Sequence, residues 1–496
     1  MAPIPWKREK GEESPALSKS MDQNLQLELR HMETAFETFR RTCPAYDATR
    51  KLDELRSTEY GRLDRDKQVY LDYTGAGLYA ESQLKQHMEL LSKEVLGNPH
   101  SKNLTSIRAI QYAERARKKV LQYFNADPDE YMVVFTNNAS SALKLVGESY
   151  LFEMGGVFLL TSDNHNSVNG IREFAQAKGA SVRYTGLRLP ELYADETELR
   201  EALDAACPGA HKLFAYPAQS NFSGVRHPLE WIGEAQDRGW DVLLDAASLA
   251  ASSPLDLSRW HPDFVPISFY KIFGYPTGIG CLLVRRKAAA KLRRPWYGGG
   301  TIVFSSVSAF DHYLNPGPAG FEDGTADFLS YPAVEFGLDW IGSIGIDTIQ
   351  TRVACLTGWL IDQLLLLYHR NGKPLVRLYG PQNMDRRGGT VQMNFFNASG
   401  AMIDCYTMEK LANQERISLR AGDHCNPGAR EAAMGIRRED LVPCFSDKEH
   451  KTYEQFLNGL EGKMTGTLRA SLGLASNFAD VYRFIQFAKT FIDYRA

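Results

Sequence analysis

Lys271 lies in 264-FVPISFYKIFGYPTGIGCLLVRR-286, between an apolar run and a glycine-proline-threonine turn. An ammonium among apolar groups has its pKa depressed, and the neutral amine that results is the nucleophile Schiff-base chemistry needs. Asp245 ends the apolar run in 241-DVLLDAAS-248. A carboxylate there needs a partner, although it would equally well cap the next helix. In 136-TNNASSALK-144, Asn138 and Ala139 belong to a turn of small polar residues that opens a helix. Such a turn cradles a phosphate, or caps a helix and does nothing more. His165, in 162-SDNHNSVNG-170, is a functional ring or a bystander of an amide-rich loop, and turn chemistry explains Asn221, in 219-QSNFSGV-225, as well as ligand binding does. Phosphate cradle, acid and lysine in this order nevertheless describe a site for pyridoxal 5'-phosphate. The acid would keep the ring nitrogen protonated, so that the ring draws electrons from the substrate's α-carbon.

The elements that must position these residues can be read from the same rows. From about residue 69, apolar runs alternate with amphipathic helical stretches: VYLDYTGAG, SQLKQHMELLSKEVL, SIRAIQYAERARKKVLQYF, MVVFT, ASSALKLVGESYLF, VFLLT, KLFAYPA, DVLLDAAS and VPISFYK. This alternation predicts an α/β fold, a mostly parallel sheet covered by helices, whose ligands collect at the carboxyl ends of the strands. A long helical pattern near 330–345 leads to RLYG, TVQMNFF, ISLRAG and TLRASLG, which predict a smaller α+β domain with antiparallel strands. The expected organisation is a polar, disordered tail at 1–20, a helical segment at 21–60, a large cofactor-binding domain at 61–335 and the small domain at 336–496.

Composition narrows the class. The chain has 496 residues, 44% hydrophobic and 24% charged, with a formal net charge of -3, which leaves no electrostatic footprint for nucleic acid or anionic membrane. Apolar runs such as 155-GGVFLLT-161 fall far short of the ~20 residues that span a bilayer, and the polar N-terminus has no signal-peptide core. An intracellular, cytoplasmic protein is expected. Its seven cysteines (43, 207, 281, 355, 405, 425 and 444) form no CxxC pair, so reduced thiols are expected and no metal.

The motif strings 268-SFYKIFGYPTGIG-280, 219-QSNFSGV-225, 321-FEDGTADFLS-330 and 420-RAGDHCNPG-428 together resemble the class V aminotransferase (cysteine desulfurase-like) family. Within it they are most similar to the N-terminal domains of the molybdenum cofactor sulfurases, and the likeness runs over roughly residues 60–490. The resemblance implies the fold type I of pyridoxal-phosphate-dependent transferases. It gives Lys271 the Schiff-base role, Asp245 the ring nitrogen, His165 the ring face, Asn221 the phenolic oxygen and a place beside the substrate, and Ser268, Tyr270, Asn138 and Ala139 the phosphate. Thr325 would reach the phosphate held by a second subunit, which implies a homodimer. Arg469, in 467-TLRASLG-473, would pair with the α-carboxylate of the substrate, L-cysteine or a cysteine-derived compound. Cys425 would accept the sulfur on a mobile loop, although a half-buried structural cysteine would also fit the bare sequence.

The sequence departs from the family in three places. Tyr270 stands where bacterial desulfurases carry histidine, Asp423 and His424 precede Cys425 where a second cysteine is usual, and the sequence ends at Ala496 where those sulfurases continue into a molybdopterin-binding domain. The expected reaction converts L-cysteine to L-alanine and leaves a persulfide on Cys425, for a sulfur acceptor that the molybdenum cofactor exemplifies. Its rivals are a C–S lyase acting on a cysteine conjugate, which would not need Cys425, an aminotransferase or selenocysteine lyase, and a catalytically silent binding subunit.

Overall fold

The computed structural model describes residues 15–205, 209–445, 455, 460 and 466–494. Seven strands form the central sheet: β1 (Tyr131–Thr136), β2 (Val157–Thr161), β3 (Ser181–Thr185), β4 (Lys212–Pro217), β5 (Asp241–Asp245), β6 (Phe264–Ser268) and β7 (Gly280–Arg285). They are ordered β1-β7-β6-β5-β4-β2-β3. β2 to β6 run parallel, and their continuous apolar character follows from burial on both faces, the exception being the edge strand β3 with its exposed residues. β7 is antiparallel to both neighbours. The connection Phe269–Ile279 is too short for a parallel crossover, which takes about a dozen residues or more. It folds back instead through the one-turn helix Phe269–Phe273, which carries Lys271.

The reversal at Gly280 positions the site. Gly280 pairs with Ser268 on one side and Thr136 on the other, and a Cβ there would lie 2.4 Å from the Ile267 carbonyl and 2.6 Å from the Asn138 Cα. Only glycine lets the turn after β1 approach the end of β6 this closely.

A second sheet of four antiparallel strands contains β8 (Val376–Tyr379), β9 (Thr390–Phe395), β10 (Arg420–Gly422) and β11 (Thr467–Ser471), in the order β8-β9-β11-β10. This is the antiparallel region expected near the C-terminus. The segment VYLDYTGAG behaves differently from the other apolar runs. Its strand is limited to Val69–Tyr70, which pairs in parallel with Ile417–Ser418, and Asp72 bridges to Ser471. It therefore leans on the C-terminal strands, away from the central sheet: after Tyr70 the chain passes from Ser418 to Ser471 and then turns, the Gly75 and Ala76 amides donating to the Asp72 carbonyl.

The N-terminal part is helical. α1 (Pro15–Thr42) begins inside the stretch expected as a tail, and residues 1–14 lie outside the described residues. Short helices at Pro44–Thr49 and Lys51–Glu59 follow. They are fixed by two buried arginines: Arg56 forks onto Asp480, and Arg352, in the helix Ile346–Leu365, pairs with Asp53 and donates to Thr49. Breaking the buried Arg56–Asp480 pair would cost about 3–5 kcal/mol. Contrary to the expectation of reduced thiols, Cys43 is disulfide-bonded to Cys355 on the same helix, with 6.0 Å between the Cα atoms. The sequence separation of 312 gave no spacing signal by which to pair them. No helix among the described residues is long and apolar enough to cross a membrane.

Candidate active site

The carboxyl ends of β2, β4, β5 and β6 open into one cavity of about 160 Å³, lined by Asn138, Ala139, His165, Asn221, Asp245, Ser268, Tyr270 and Lys271 together with Gln219 and Ser248. Eight of the residues expected at a cofactor site thus meet in one place.

Each is positioned by local chemistry. Asn138 is the N-cap of the helix Ala139–Ser149, its Oδ1 accepting from the Ser141 amide at 2.9 Å. The Ala139 amide donates to Ser268 Oγ at 2.9 Å. Capping and cradling therefore coexist: the hydroxyl proton of Ser268 remains free to be donated into the cavity. Asp245 is 8% exposed, and its Oδ1 accepts from the Ala247 amide at 3.0 Å, which leaves Oδ2 for a cation. His165 caps the short helix Asn166–Asn169 by accepting from the Ser167 amide through Nδ1 at 3.1 Å, which places the proton of its neutral form on Nε2.

Burial dominates the electrostatics. It pushes the Lys271 amine below the ordinary lysine range, with Asp245 pulling the other way and Arg469 and Arg420 reinforcing the shift. Burial also lowers His165, opposed by Asp245 and assisted by Lys271 and Arg469. An amine on the way to neutrality, a buried carboxylate, a neutral imidazole and hydroxyl and amide donors at a helix N-terminus fit the aldehyde, ring nitrogen, ring face and phosphate of pyridoxal phosphate.

Between β10 and the helix Pro427–Met434 lies the loop 423–426, which carries Cys425. Cys425 is the exposed thiol among the described residues, within electrostatic reach of Lys271, Arg420 and Arg469. Cys281, Cys405 and Cys444 are buried, and burial pushes the Cys405 thiol up to about 12. The loop expected to be mobile is held at several points. The Cys425 carbonyl accepts from the Asn166 amide at 2.7 Å, and buried Asn426 donates to the Asp163 carbonyl and to Asn221 Oδ1. Asn221 donates in turn to the His424 carbonyl at 2.8 Å. It serves the loop as well as the cavity. His424 and Cys425 both adopt left-handed φ angles, 55° and 54°, so these contacts hold strained backbone. Burial holds His424 well below the ordinary histidine range, aided by Arg469 and Arg420, while Asp423 pairs with Arg430.

Arg469 does not line this cavity: it is 3% exposed and donates to the Asn221 carbonyl at 3.0 Å and to Asp72 at 2.9 Å, and its Nε has no partner among the described residues. Thr325 is not in this cavity. It is exposed, within 3.3 Å of the Asn98 amide, and lines a separate hollow beside Thr136 and Asn137. Asp72, Arg420 and Asn426 are the polar neighbours that the motif analysis assigned no role, though Arg420 and Asn426 stand inside the quoted RAGDHCNPG string.

This strand order, with its antiparallel β7 and a lysine just after β6, defines the fold type I class of pyridoxal-phosphate-dependent transferases. The aminotransferase class-V profile matches residues 69–484, and the chain belongs to that family. It is 34% identical over 90% of its length to the molybdenum cofactor sulfurase of Solanum lycopersicum, covering 58% of that protein, and 37% identical over 88% to that of Homo sapiens, covering 51%. The chain thus spans little more than half the length of these relatives. Among solved structures it is similar to an apo cysteine desulfurase from Thermococcus onnurineus NA1 (TM-score 0.72, 24% identity, 88% of this chain and 97% of that one). It is also similar to a cystine C–S lyase in complex with its product cysteine persulfide (TM-score 0.65, 16% identity, 86% and 98%). At these identities the likeness establishes the fold alone.

Proposed function

We propose that the chain is a pyridoxal-phosphate-dependent cysteine desulfurase that removes sulfur from L-cysteine, releases L-alanine and carries the sulfur on Cys425. The observation that carries this reading is the exposed Cys425 thiol within electrostatic reach of a buried Lys271, whose amine burial holds below the ordinary lysine range. When bound, pyridoxal phosphate supplies the electron sink that stabilises a carbanion at the substrate's α-carbon. Lys271 Nζ, its pKa lowered by burial, removes the α-proton. Asp245 Oδ2 would hold the cationic ring nitrogen, and Arg469 would orient the α-carboxylate through its Nε edge. Cys425 Sγ attacks the γ-sulfur: an S–S bond forms, the C–S bond breaks, and its electron pair stays with the three-carbon fragment that becomes alanine. The relatives' name supports the molybdenum cofactor as sulfur acceptor.

A homodimer belongs to the same reading. The hairpin Ile302–Ser306/Asp311–Leu314 exposes Val303, Phe304 and Tyr313, with Val307 and Phe310 at its tip, an apolar patch of the kind that meets another protein. Its base is bonded to the Thr325 segment through the Gly324 amide and the Gly299 carbonyl at 2.8 Å. A second copy on this face would receive Thr325 at its own cavity.

One feature favours a lyase instead: the Cys425 loop is anchored by Asn166, Asn221 and Asn426, whereas a sulfur carrier must travel. Mass spectrometry after a single turnover separates the two readings. The desulfurase reading expects the Cys425 peptide to gain the mass of one sulfur atom; a peptide unchanged while sulfide accumulates would leave the lyase.

A further inference from the structure

Asp72 sits between two arginines, Arg469 and Arg420, that both act electrostatically on Lys271. Its Oδ1 accepts from Arg469 Nη2 at 2.9 Å, while Arg420 forks onto it, Nη2 to Oδ2 at 2.7 Å and Nε to Oδ1 and Oδ2 at 3.1 and 3.0 Å. The carboxylate cannot drift. Its backbone bridges to Ser471, and the Ser471 amide donates to the Leu71 carbonyl at 2.7 Å. Gly75 presses on it from the other side, where a Cβ would lie 2.5 Å from both Asp72 Oδ2 and Arg420 Nη2. Arg469 is buried and also bonded to the Asn221 carbonyl, and Asp72 pairs its charge. What Asp72 adds is a charge: two guanidinium groups and one carboxylate leave a single positive charge within electrostatic reach of Lys271.

We infer that Asp72 sets the charge class of the substrate, admitting an amino acid whose only anionic group is its α-carboxylate and rejecting one with a second anion on the side chain. One α-carboxylate neutralises the triad through the free Nε edge of Arg469. A second anion finds Arg420 already forked onto Asp72 and meets the Asp72 carboxylate itself, a like-charge contact in a partly dehydrated site. The mechanism is subtraction: Asp72 removes the countercharge that a dianionic side chain would require. The inference rests on the amino-acid reading of the site given above and is independent of which products form.

The test measures binding. Protein loaded with pyridoxal phosphate is titrated by calorimetry with L-2-aminobutyrate, whose side chain is neutral, and with L-aspartate. Wild type should prefer L-2-aminobutyrate. Asp72→Asn should shift the ratio of dissociation constants toward L-aspartate by at least about tenfold, the expected scale for removing one nearby like charge. Asp72→Glu, which keeps the charge, should keep the wild-type preference, and Asp72→Ser carries the expectation of the Asn variant should that variant not fold. An unchanged ratio in the neutral variants, or an equal loss of both ligands, would show that Asp72 only braces the arginines and overturn the inference. A gain for both ligands would overturn it too, by showing that Asp72 merely occupies the carboxylate site. Wild-type protein that binds neither amino acid would sink the amino-acid reading and this inference with it.

Discussion

Lys271 is enclosed by Asp245, Arg469 and Arg420, and burial is the largest influence on its amine. The folded protein holds that amine below its ordinary value of 10.5, so the native state binds fewer protons than the unfolded chain between the depressed value and 10.5. Stability must then rise with pH across that window, and the penalty is greatest at lower pH. Cofactor-free Lys271→Met should therefore melt above cofactor-free wild type at neutral pH, with the gap narrowing as the pH climbs toward 10.5. A gap independent of pH in thermal scans would contradict a lysine whose amine burial depresses. At the far end of the substrate, Arg469→Lys loses a planar fork whose charged hydrogen bonds are worth about 1.5–3 kcal/mol each. The KM for L-cysteine should rise by about tenfold or more, and steady-state kinetics that match wild type would remove Arg469 from the site. Lys271, Asp245 and His165 were legible in the sequence because each follows an apolar run that had to be a buried strand. Asp72 and Arg420 were not: they come from residues 348 apart and meet only because Val69–Tyr70 pairs with Ile417–Ser418.

The elements account for why the site residues stay where they are. The close approach at Gly280 joins the end of β6, the start of β7 and the turn after β1. Gly280→Ala would drive a Cβ into the Ile267 carbonyl and the Asn138 Cα, both backbone atoms that cannot swing aside. It should destabilise the protein by about 1–3 kcal/mol, the usual range for overpacking, and weaken cofactor retention on dialysis. Normal retention in a folded Gly280→Ala protein would show that the cradle does not depend on this contact. The pattern of alternating runs gave the central sheet and its parallel sense, since buried parallel strands read as continuous apolar segments. It could not give the reversal of β7, which depends on the length of one connection, nor the brevity of the Val69–Tyr70 strand, whose apolar pattern continues into a turn. The anchoring of the Cys425 loop was hidden as well. Asn166, Asn221 and Asn426 look like ordinary turn residues until the fold sets them against one another.

At the scale of the whole molecule, the proposed dimer makes a prediction that no single subunit can meet. Thr325 lies outside the Lys271 cavity of its own chain. If each subunit completes the other's site, mixing Lys271→Ala with Thr325→Val protein should yield heterodimers in which one site holds both native residues, and activity should return in part. Confirmed subunit exchange without recovery would place Thr325 outside catalysis. The Cys43–Cys355 bond and the Arg352–Asp53 pair fasten the N-terminal helices to the rest of the fold, and neither was visible in spacing or composition, because both join segments about 300 residues apart in sequence. The fold itself does not choose between the two chemistries, since a cysteine desulfurase and a cystine C–S lyase share it. The choice rests on Cys425, and the most direct measurement is the product balance from L-cysteine under reducing conditions, in wild type and in Cys425→Ser. The proposed desulfurase should release L-alanine and sulfide in equal amounts, and the variant should retain exchange of the substrate's α-proton with solvent while losing both products. Pyruvate and ammonia in place of alanine, formed equally well by the variant, would contradict it.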